Sequence, residues 1–263
     1  MMESTSSFRR GDQSRQSKRA QSASEAAKRD AAVAAKTEQA VTNGNGTATT
    51  SQQFEGFIAL PRVAPLDYDF AAACRGRFSP GLDFIPGHLE LDNLAVLLAE
   101  TARAATEFGA SDERGLDAKV SVGVCVHGIG GLNDGAYIYD ATTHSLRLVR
   151  AGDHRLRLQS GMSMPTVNFF QVPVCVHLIG SLDSCSAFGY RGYRIGQMEI
   201  GMILQRLLLT ASALGMNGHP LLGYDEGDCD DIYGLGTAGE TCLIEIPIGF
   251  YRKTSRFEGS LRA

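Results

Sequence analysis

The strongest constraint on the fold of this chain is a long run of mostly apolar residues, Ile195–Leu214. Glu199 and Arg206 interrupt the run, so it does not read as a membrane-spanning helix, which needs about 18 apolar residues with few or no charges. Apolar residues occur nearly all round a helix built from this run, which predicts a central helix covered on most sides. A later apolar run, Leu243–Ile248, predicts the last strand of the core.

Elsewhere the chain shows two kinds of hydrophobic spacing. Leu89–Phe108 repeats apolar residues at the spacing of a helix with one buried face. Shorter segments rich in valine and small residues are typical of strands. Helices and strands mix without a regular βαβ rhythm, which predicts an α+β fold rather than a doubly wound sheet. The other predicted strands are Val120–Val126, a hairpin of Ala136–Tyr139 and Leu146–Val149 joined through Asp140–His144, and Val172–Ile179.

Residues 1–53 differ in composition from the rest of the chain. They are rich in Ser, Ala, Gln, Thr, Lys and Arg and contain almost no large apolar residues. Such a segment cannot bury enough surface to offset the entropy lost on ordering. The sequence therefore predicts a disordered tail over residues 1–53, without the apolar core of a secretory signal, followed by one folded domain over residues 54–263.

Charge and cysteine usage exclude several classes of protein. The formal net charge of -4 argues against a basic surface for nucleic acid, and the apolar runs predict no membrane span. The six cysteines are scattered without a CxxC pair, which favours free buried thiols and a cytoplasmic location. The histidines lack zinc-ligand spacing on one helix face, so no metal site is predicted. His177 is interpreted as a core residue, and His144 and His154 as surface residues.

Three further motifs favour structural interpretations. Gly234–Gly239 fits GxGxxG, but it follows a predicted helix and precedes a strand, which is the reverse of a dinucleotide-binding turn. Gly128–Gly131 lies between two predicted strands and is interpreted as a turn. The acids of Asp225–Asp231 lack the spacing of a calcium loop. Their place at the head of a short helix indicates capping.

The segment Arg191–Gln205 reads RGYR followed by E-x-G-x-x-x-Q, and Leu132–Asp140 carries the leucine, glycine, tyrosine and aspartate of a hairpin. Together they resemble the FMN-dependent nitroreductase-like oxidoreductases. The nearest branch is the SagB-type dehydrogenases, which oxidise thiazolines and oxazolines in modified peptides. The likeness covers roughly residues 75–253. It implies an α+β nitroreductase-like fold with a central antiparallel-rich sheet and a long core helix.

The resemblance also implies FMN as the cofactor. In this family a basic pair near the first helix and a second basic group after the last strand hold the phosphate or ribityl oxygens. A glycine in the turn after the long helix presents its N–H to the flavin N5, because glycine puts no side chain between ring and backbone. The cofactor-binding residues implied for this chain are Arg75, Arg77, Gln205, Leu222, Gly223, Arg252 and Lys253.

Two segments depart from the SagB-type pattern. Ala187-Phe188 stands where that branch has a Lys-Tyr pair that removes a substrate proton, and neither side chain can act as a base. Glu113–Lys119 stands where the family has a segment that contacts flavin from the partner subunit. No catalytic residue is therefore assigned from the sequence.

These observations lead to two functional hypotheses. The first is an FMN-dependent dehydrogenase that tailors a peptide-derived natural product, with a peptide or small-molecule substrate. The alternative is a flavin-free or partner-dependent scaffold subunit of a hetero-oligomeric biosynthetic complex. In either case the resemblance implies a homodimer, or a heterodimer with another nitroreductase-like chain, since the site of the family lies at a subunit interface.

Overall fold

The computed structural model describes residues 56–108, 120–181, 189–235 and 239–253. The predicted tail, Glu113–Lys119 and Ala187-Phe188 lie outside the described residues. The helices are α1 (Phe70–Gly76), α2 (Leu91–Phe108), α3 (Arg155–Gly161), α4 (Gly189–Ala213) and α5 (Glu226–Tyr233). The strands are β1 (Phe57–Ala59), β2 (Phe84–Ile85), β3 (Ser121–Val126), β4 (Gly135–Asp140), β5 (Ser145–Ala151), β6 (Val174–Ser181), β7 (Asn217–Gly218) and β8 (Glu240–Tyr251).

The described strands form one sheet in the order β1-β5-β4-β3-β6-β8-β2, and β7 pairs with β8. Each of these pairings is antiparallel. The predicted α+β fold with an antiparallel sheet and a long core helix is therefore confirmed. Among the described residues, no helix is long and apolar enough to cross a membrane.

The two faces of the sheet support two separate layers of core. Alternate residues of a strand point to opposite faces, and on β6 Val174, Val176 and Leu178 join the core built with α2 and α4. The intervening residues, including Cys175 and Ile179, join a second core with residues of α3 and α5. The sheet is thus covered by helices on both sides, with the longer helices on the first face.

A buried carboxylate joins α2 to α4. Glu100 of α2 is 3% exposed and accepts hydrogen bonds from Arg103 and from the Leu66 backbone N–H. Its Oε2 atom lies 3.8 Å from Nε of Arg206 on α4. Arg206 also donates to the exposed Glu107 at 2.8 Å. Arg206, one of the two charges that interrupt the apolar run, is therefore paired with carboxylates of α2 across the helix interface.

One side of α4 is exposed, chiefly near its start, whereas most of the predicted run Ile195–Leu214 is buried or half-buried. Tyr190, Tyr193, Met198 and Met202 are all exposed, and Tyr190 is 90% exposed. These positions lie three to five residues apart, close to the spacing that keeps residues on one side of a helix. The other side of α4 packs against the sheet and α2, and its end packs against α1.

The glycine and acidic motifs have the structural roles that the sequence predicts. Asp225 caps α5 by accepting a hydrogen bond from the Asp228 N–H at 3.1 Å. Gly234 ends α5 with a φ of 70°, a left-handed conformation that suits glycine. Gly128 and Gly131 have φ values of 69° and 79° in the turn between β3 and β4. None of these segments leads from a strand into a helix as a phosphate-binding turn does.

The prediction that His154 is a surface residue is wrong. His154 is 7% exposed because the chain folds back at the start of α3, where its Nε2 lies 3.3 Å from the Arg150 carbonyl. His144 is half-buried, and its two ring nitrogens lie 2.7 Å from the Tyr139 hydroxyl and 2.8 Å from the Pro61 carbonyl. Its role is to join the β4–β5 turn to the segment after β1, which local sequence does not indicate.

Candidate functional site

The first basic pair lies at the end of α1, which packs on the end of α4 and on β7. Ser212 of α4 donates to the Ala73 carbonyl at 2.9 Å. Asn217 of β7 donates from Nδ2 to the Gly76 carbonyl at 3.1 Å and accepts from the Phe78 N–H through Oδ1 at 3.2 Å. The buried Asn217 amide therefore fixes the backbone around Arg77.

The second basic pair, Arg252 and Lys253, follows the end of β8 and lies beside the first pair. The Phe78 and Tyr251 rings meet edge to face with centroids 4.7 Å apart. Arg77 directly precedes one ring, and Arg252 directly follows the other. Arg77 is half-buried, whereas Arg75, Arg252 and Lys253 are exposed. The two basic segments thus start from neighbouring points of the backbone.

The segment after β7 runs along β8 towards the predicted flavin turn. The His219 N–H donates to the Pro247 carbonyl at 3.0 Å, and Leu221 exchanges backbone hydrogen bonds with Glu245 at 2.8 and 3.2 Å. At its end the Gly223 carbonyl accepts from the Ser163 N–H at 2.8 Å. The chain from Asn217 to Gly223 therefore links the basic segments to the turn in one continuous strip.

Gly223 offers a free backbone donor at an open position. Among the described residues, no acceptor takes its N–H, and both Gly223 and Leu222 are exposed. A Cβ atom built on Gly223 meets Ser163 at 3.4–3.5 Å, which is ordinary contact. The fold itself therefore tolerates a side chain there, so its own packing does not require this glycine.

His219 is a residue of this strip that sequence reasoning missed. Its Nδ1 accepts a hydrogen bond from the Gly81 N–H at 3.0 Å. Burial lowers the pKa of His219, which keeps the imidazole neutral at physiological pH. Because the accepted bond uses the free lone pair of the ring, Nδ1 is unavailable as a base. A histidine beside proline in a turn gave no signal of this contact.

Gln205 lies outside the region around the strip that holds the other predicted residues. It lies on the exposed side of α4, seven residues and about 10 Å along the axis before Ser212. The strip therefore connects the segments of six predicted residues, whereas Gln205 lies on the helix face that also carries Met198 and Met202.

The hydrogen-bond donors along this strip suit a flat ligand that carries an anionic group. Arg and Lys side chains are strong donors to phosphate oxygens, and the Gly223 N–H is a donor without a side chain beside it. The basic segments stand at one end of the strip and the glycine donor at the other. These residues therefore fit FMN in chemistry, with the phosphate expected at the basic end.

The buried thiols are not candidate nucleophiles. Burial raises the pKa of Cys125 to about 12 and raises the pKa values of Cys175, Cys229 and Cys242 still further from the usual range. All four therefore stay protonated near neutral pH unless a cation binds them. The hydroxyl of Tyr224 is also occupied, since it donates to the Cys242 carbonyl at 2.6 Å.

His177 is a core residue, as the sequence predicts. It is fully buried on the second face of β6. Its Nδ1 lies 2.8 Å from the Tyr233 hydroxyl, and its Nε2 lies 3.3 Å from Oε1 of Glu245. The ring is therefore held from both sides by residues of α5 and β8.

The arrangement of strands and helices is that of nitroreductase-like α+β proteins, as the likeness to solved structures shows. No protein-family model matches the sequence. A Methanocaldococcus jannaschii protein described as a nitroreductase is 24% identical over 152 residues, which is 54% of this chain and 74% of that protein.

Solved structures share the fold at low sequence identity. A chain from Anabaena variabilis described as a nitroreductase aligns with a TM-score of 0.61 and 22% identity, over 74% of this chain but only 42% of that longer chain. A chain of the E. coli microcin synthetase McbBCD complex, with truncated pro-MccB17 bound, aligns with a TM-score of 0.53 and 17% identity over 78% and 79% of the two chains.

A Staphylococcus epidermidis chain described as an NAD(P)H:FMN oxidoreductase aligns with a TM-score of 0.50 and 12% identity over 78% of this chain and 96% of that chain. At these identities the structural likeness shows the fold alone. The nitroreductase-like fold that the resemblance implies is confirmed, and membership of the SagB-type branch stays a prediction.

Proposed function

We propose that this chain is an FMN-dependent oxidoreductase that works as a dehydrogenase on a peptide-derived natural product, with azoline-to-azole oxidation as the reaction type. The observation that carries the proposal is the strip along β8. It joins two basic segments, which start beside the Phe78–Tyr251 contact, to a free glycine N–H at Gly223.

In this proposal Arg75, Arg77, Arg252 and Lys253 bind the FMN phosphate and ribityl oxygens. The Gly223 N–H donates to the N5 edge of the ring, and Leu222 packs beside it. FMN, when bound, supplies the acceptor for a hydride from the substrate. The protein then has to orient the substrate over the ring and exclude water from it.

The exposed face of α4 supports a dimer. Tyr190, Tyr193, Met198 and Met202 leave apolar surface in water, and contiguous apolar patches of this kind mark protein interfaces. We propose a second nitroreductase-like chain as the partner, either another copy or a related subunit. Gln205 lies on the same face, so its predicted contact with flavin belongs to a site completed across the dimer.

The substrate class rests on two likenesses. The RGYR and E-x-G-x-x-x-Q residues of Arg191–Gln205 resemble the SagB-type pattern, and one structural neighbour is a chain of a microcin synthetase complex with a truncated peptide bound. A peptide carrying thiazolines or oxazolines is therefore the proposed substrate. A proton acceptor that replaces the Lys-Tyr pair of that branch is expected from the partner or from the substrate itself.

Uptake of FMN tests the proposal. We expect the purified full chain to carry flavin absorbance, or to take up added FMN with quenching of flavin fluorescence and about one FMN per chain. Riboflavin, which lacks the phosphate, is the matched ligand and should bind more weakly. A chain that binds no FMN, alone or with a co-expressed nitroreductase-like partner, would exclude the enzyme and favour the flavin-free scaffold.

A further inference from the structure

A cluster of metal-binding side chains lies inside the second core layer, between β6, β8 and α5. Cys175 and His177 come from β6 and Glu245 from β8, and one ligand atom of each lies within 4.8 Å of the other two. All three residues are buried. The nearest thiol of α5, Cys229, is buried as well.

Three separations among His177, Cys229 and Glu245 are close to the edges of a tetrahedral site. His177 Nε2 lies 3.3 Å from Glu245 Oε1 and 3.6 Å from Cys229 Sγ, and the Cys229–Glu245 separation is 4.0 Å. Nitrogen and oxygen ligands at ~2.0–2.1 Å and sulfur at ~2.3 Å from a tetrahedral zinc are ~3.3–3.6 Å apart. Two of the three separations agree, and the third closes with a small shift of the Cys229 side chain.

The carboxylate of Glu245 has unsatisfied bonding capacity in the core. Its side chain is 1% exposed, and within the described residues its Oε2 atom has no hydrogen-bond partner. No lysine or arginine of the described residues forms an ion pair with it; Oε1 lies 3.3 Å from Nε2 of His177, which is a cation only when the ring is protonated. A buried carboxylate without a cation is costly, so a positively charged ligand is the missing element of the cluster.

The surroundings of His177 also suit a metal ligand. Its Nδ1 lies 2.8 Å from the Tyr233 hydroxyl, which in turn lies 3.4 Å from Cys125 Sγ. Metal-bound histidines donate their second ring N–H to such a partner, which fixes the ring and the tautomer. With Nδ1–H donating to Tyr233, the lone pair of Nε2 is directed at Glu245 and Cys229.

We propose that Cys175, His177, Cys229 and Glu245 bind one zinc ion as a structural site. Two thiolates, an imidazole and a carboxylate are ligands that zinc accepts, and thiolates disfavour magnesium and calcium. Cys175, His177 and Glu245 supply three ligand atoms that lie within 4.8 Å of one another. Cys229, whose Sγ lies 3.6 Å from His177 Nε2, is the fourth ligand in this proposal, and a closed set of four protein ligands is typical of structural zinc. The ion ties α5 to β6 and β8 and does not depend on the proposed flavin.

Metal content of the purified full chain tests this site. We expect about one zinc per chain by mass spectrometry of the metals, retained through dialysis against EDTA. Cys229→Ser and Glu245→Gln should each lower the zinc content at least severalfold. Cys242→Ser, an equally buried thiol on β8 outside the four ligands, is the control and should keep the zinc.

A chain that holds no zinc after refolding with added zinc would overturn the proposal, and so would equal zinc content in wild type and Cys229→Ser. If the variants fail to fold, substitution of cobalt into the wild type tests the ligand set. Wild type refolded with Co(II) should show the intense visible bands of tetrahedral cobalt and a thiolate charge-transfer band in the near ultraviolet. The weak bands of octahedral cobalt, or the absence of a thiolate band, would exclude this ligand set.

Discussion

The aromatic rings of Phe78 and Tyr251 meet edge to face with their centroids 4.7 Å apart. This contact joins the loop after α1 to the end of β8, although the two residues are far apart in the sequence. An edge-to-face pair contributes about 0.5–1.5 kcal/mol beyond burial of its area. Its larger effect is to set the starting points of two basic segments, Arg75–Arg77 and Arg252–Lys253, beside each other.

The first prediction concerns the phosphate. Replacing Arg75 and Arg77 together by alanine should weaken FMN binding at least tenfold, because each hydrogen bond to a charged group contributes about 1.5–3 kcal/mol and about 1.4 kcal/mol is a factor of ten. Riboflavin binding should change little. Fluorescence titration with both flavins measures the difference, and Arg147→Ala, an exposed arginine on β5, is the control. Equal weakening of both flavins would contradict a phosphate role.

The second prediction concerns the free N–H of Gly223. Gly223→Val should abolish flavin binding, because the branched side chain covers the donor, while Gly223→Ala should weaken it less. Both variants should fold, since a Cβ at this position meets Ser163 only at ordinary contact distance. Circular dichroism monitors the fold and flavin absorbance the occupancy. Full flavin occupancy in a folded Gly223→Val protein would show that the N5 position is elsewhere.

The third prediction compares two carboxylates that both contact Arg206. Glu100 has a side chain that is 4% exposed, whereas the Glu107 side chain is 52% exposed. Glu100→Ala should lower the free energy of unfolding by about 2–3 kcal/mol, because it removes several hydrogen bonds to a buried charge. Glu107→Ala should cost less than about 1 kcal/mol, as exposed ion pairs do. Urea denaturation measures both, and similar losses would contradict the assigned burial.

The fourth prediction is a pH dependence from His127. This residue is 5% exposed, and burial lowers its pKa from 6.5 to about 4 even though its Nδ1 lies 3.4 Å from Asp153 Oδ1. The unfolded chain therefore binds a proton between pH 6.5 and 4 that the folded chain excludes, so stability falls as the pH falls through this window. The full loss is up to about 3 kcal/mol.

The prediction for His127 is tested by the difference in unfolding free energy between wild type and a variant without this histidine. The free energy of unfolding is measured for wild type and His127→Gln from pH 7 to pH 4. Subtracting the two curves removes the contribution of the other histidines that burial affects. The wild type should lose stability more steeply than the variant below pH 6.5. Parallel curves would contradict a neutral buried imidazole.

The main elements of the fold could be predicted because their hydrophobic spacing is regular over many residues. α2, α4, β3, β6 and β8 all follow from such patterns, and the α5 cap follows from Asp225. β2 and β7 have two residues each, too few for any period. Their positions depend on pairing with β8, which is a long-range property.

Some residues of the candidate site could also be predicted from local motifs, whereas others depend on long-range packing. The basic pairs and Gly223 lie in short local motifs that a resemblance can carry. The exposure of Gln205 and the contact of His219 with Gly81 depend on how separate segments pack. The cluster around Glu245 draws one residue from α5 and two from β6, which are 16 to 70 positions away. No spacing rule connects ligands that meet only across a finished sheet.

The pairing of β8 also has a consequence for protein synthesis. β8 is hydrogen-bonded to β2, β6 and β7, and it follows all three in the sequence. A ribosome-bound chain that has not yet reached Glu240 therefore exposes an unpaired edge of the mostly apolar strand β6, which can pair with other chains. Contacts between distant residues also form slowly. The interval before β8 emerges is therefore the stage at which this chain is expected to pair most readily with other chains.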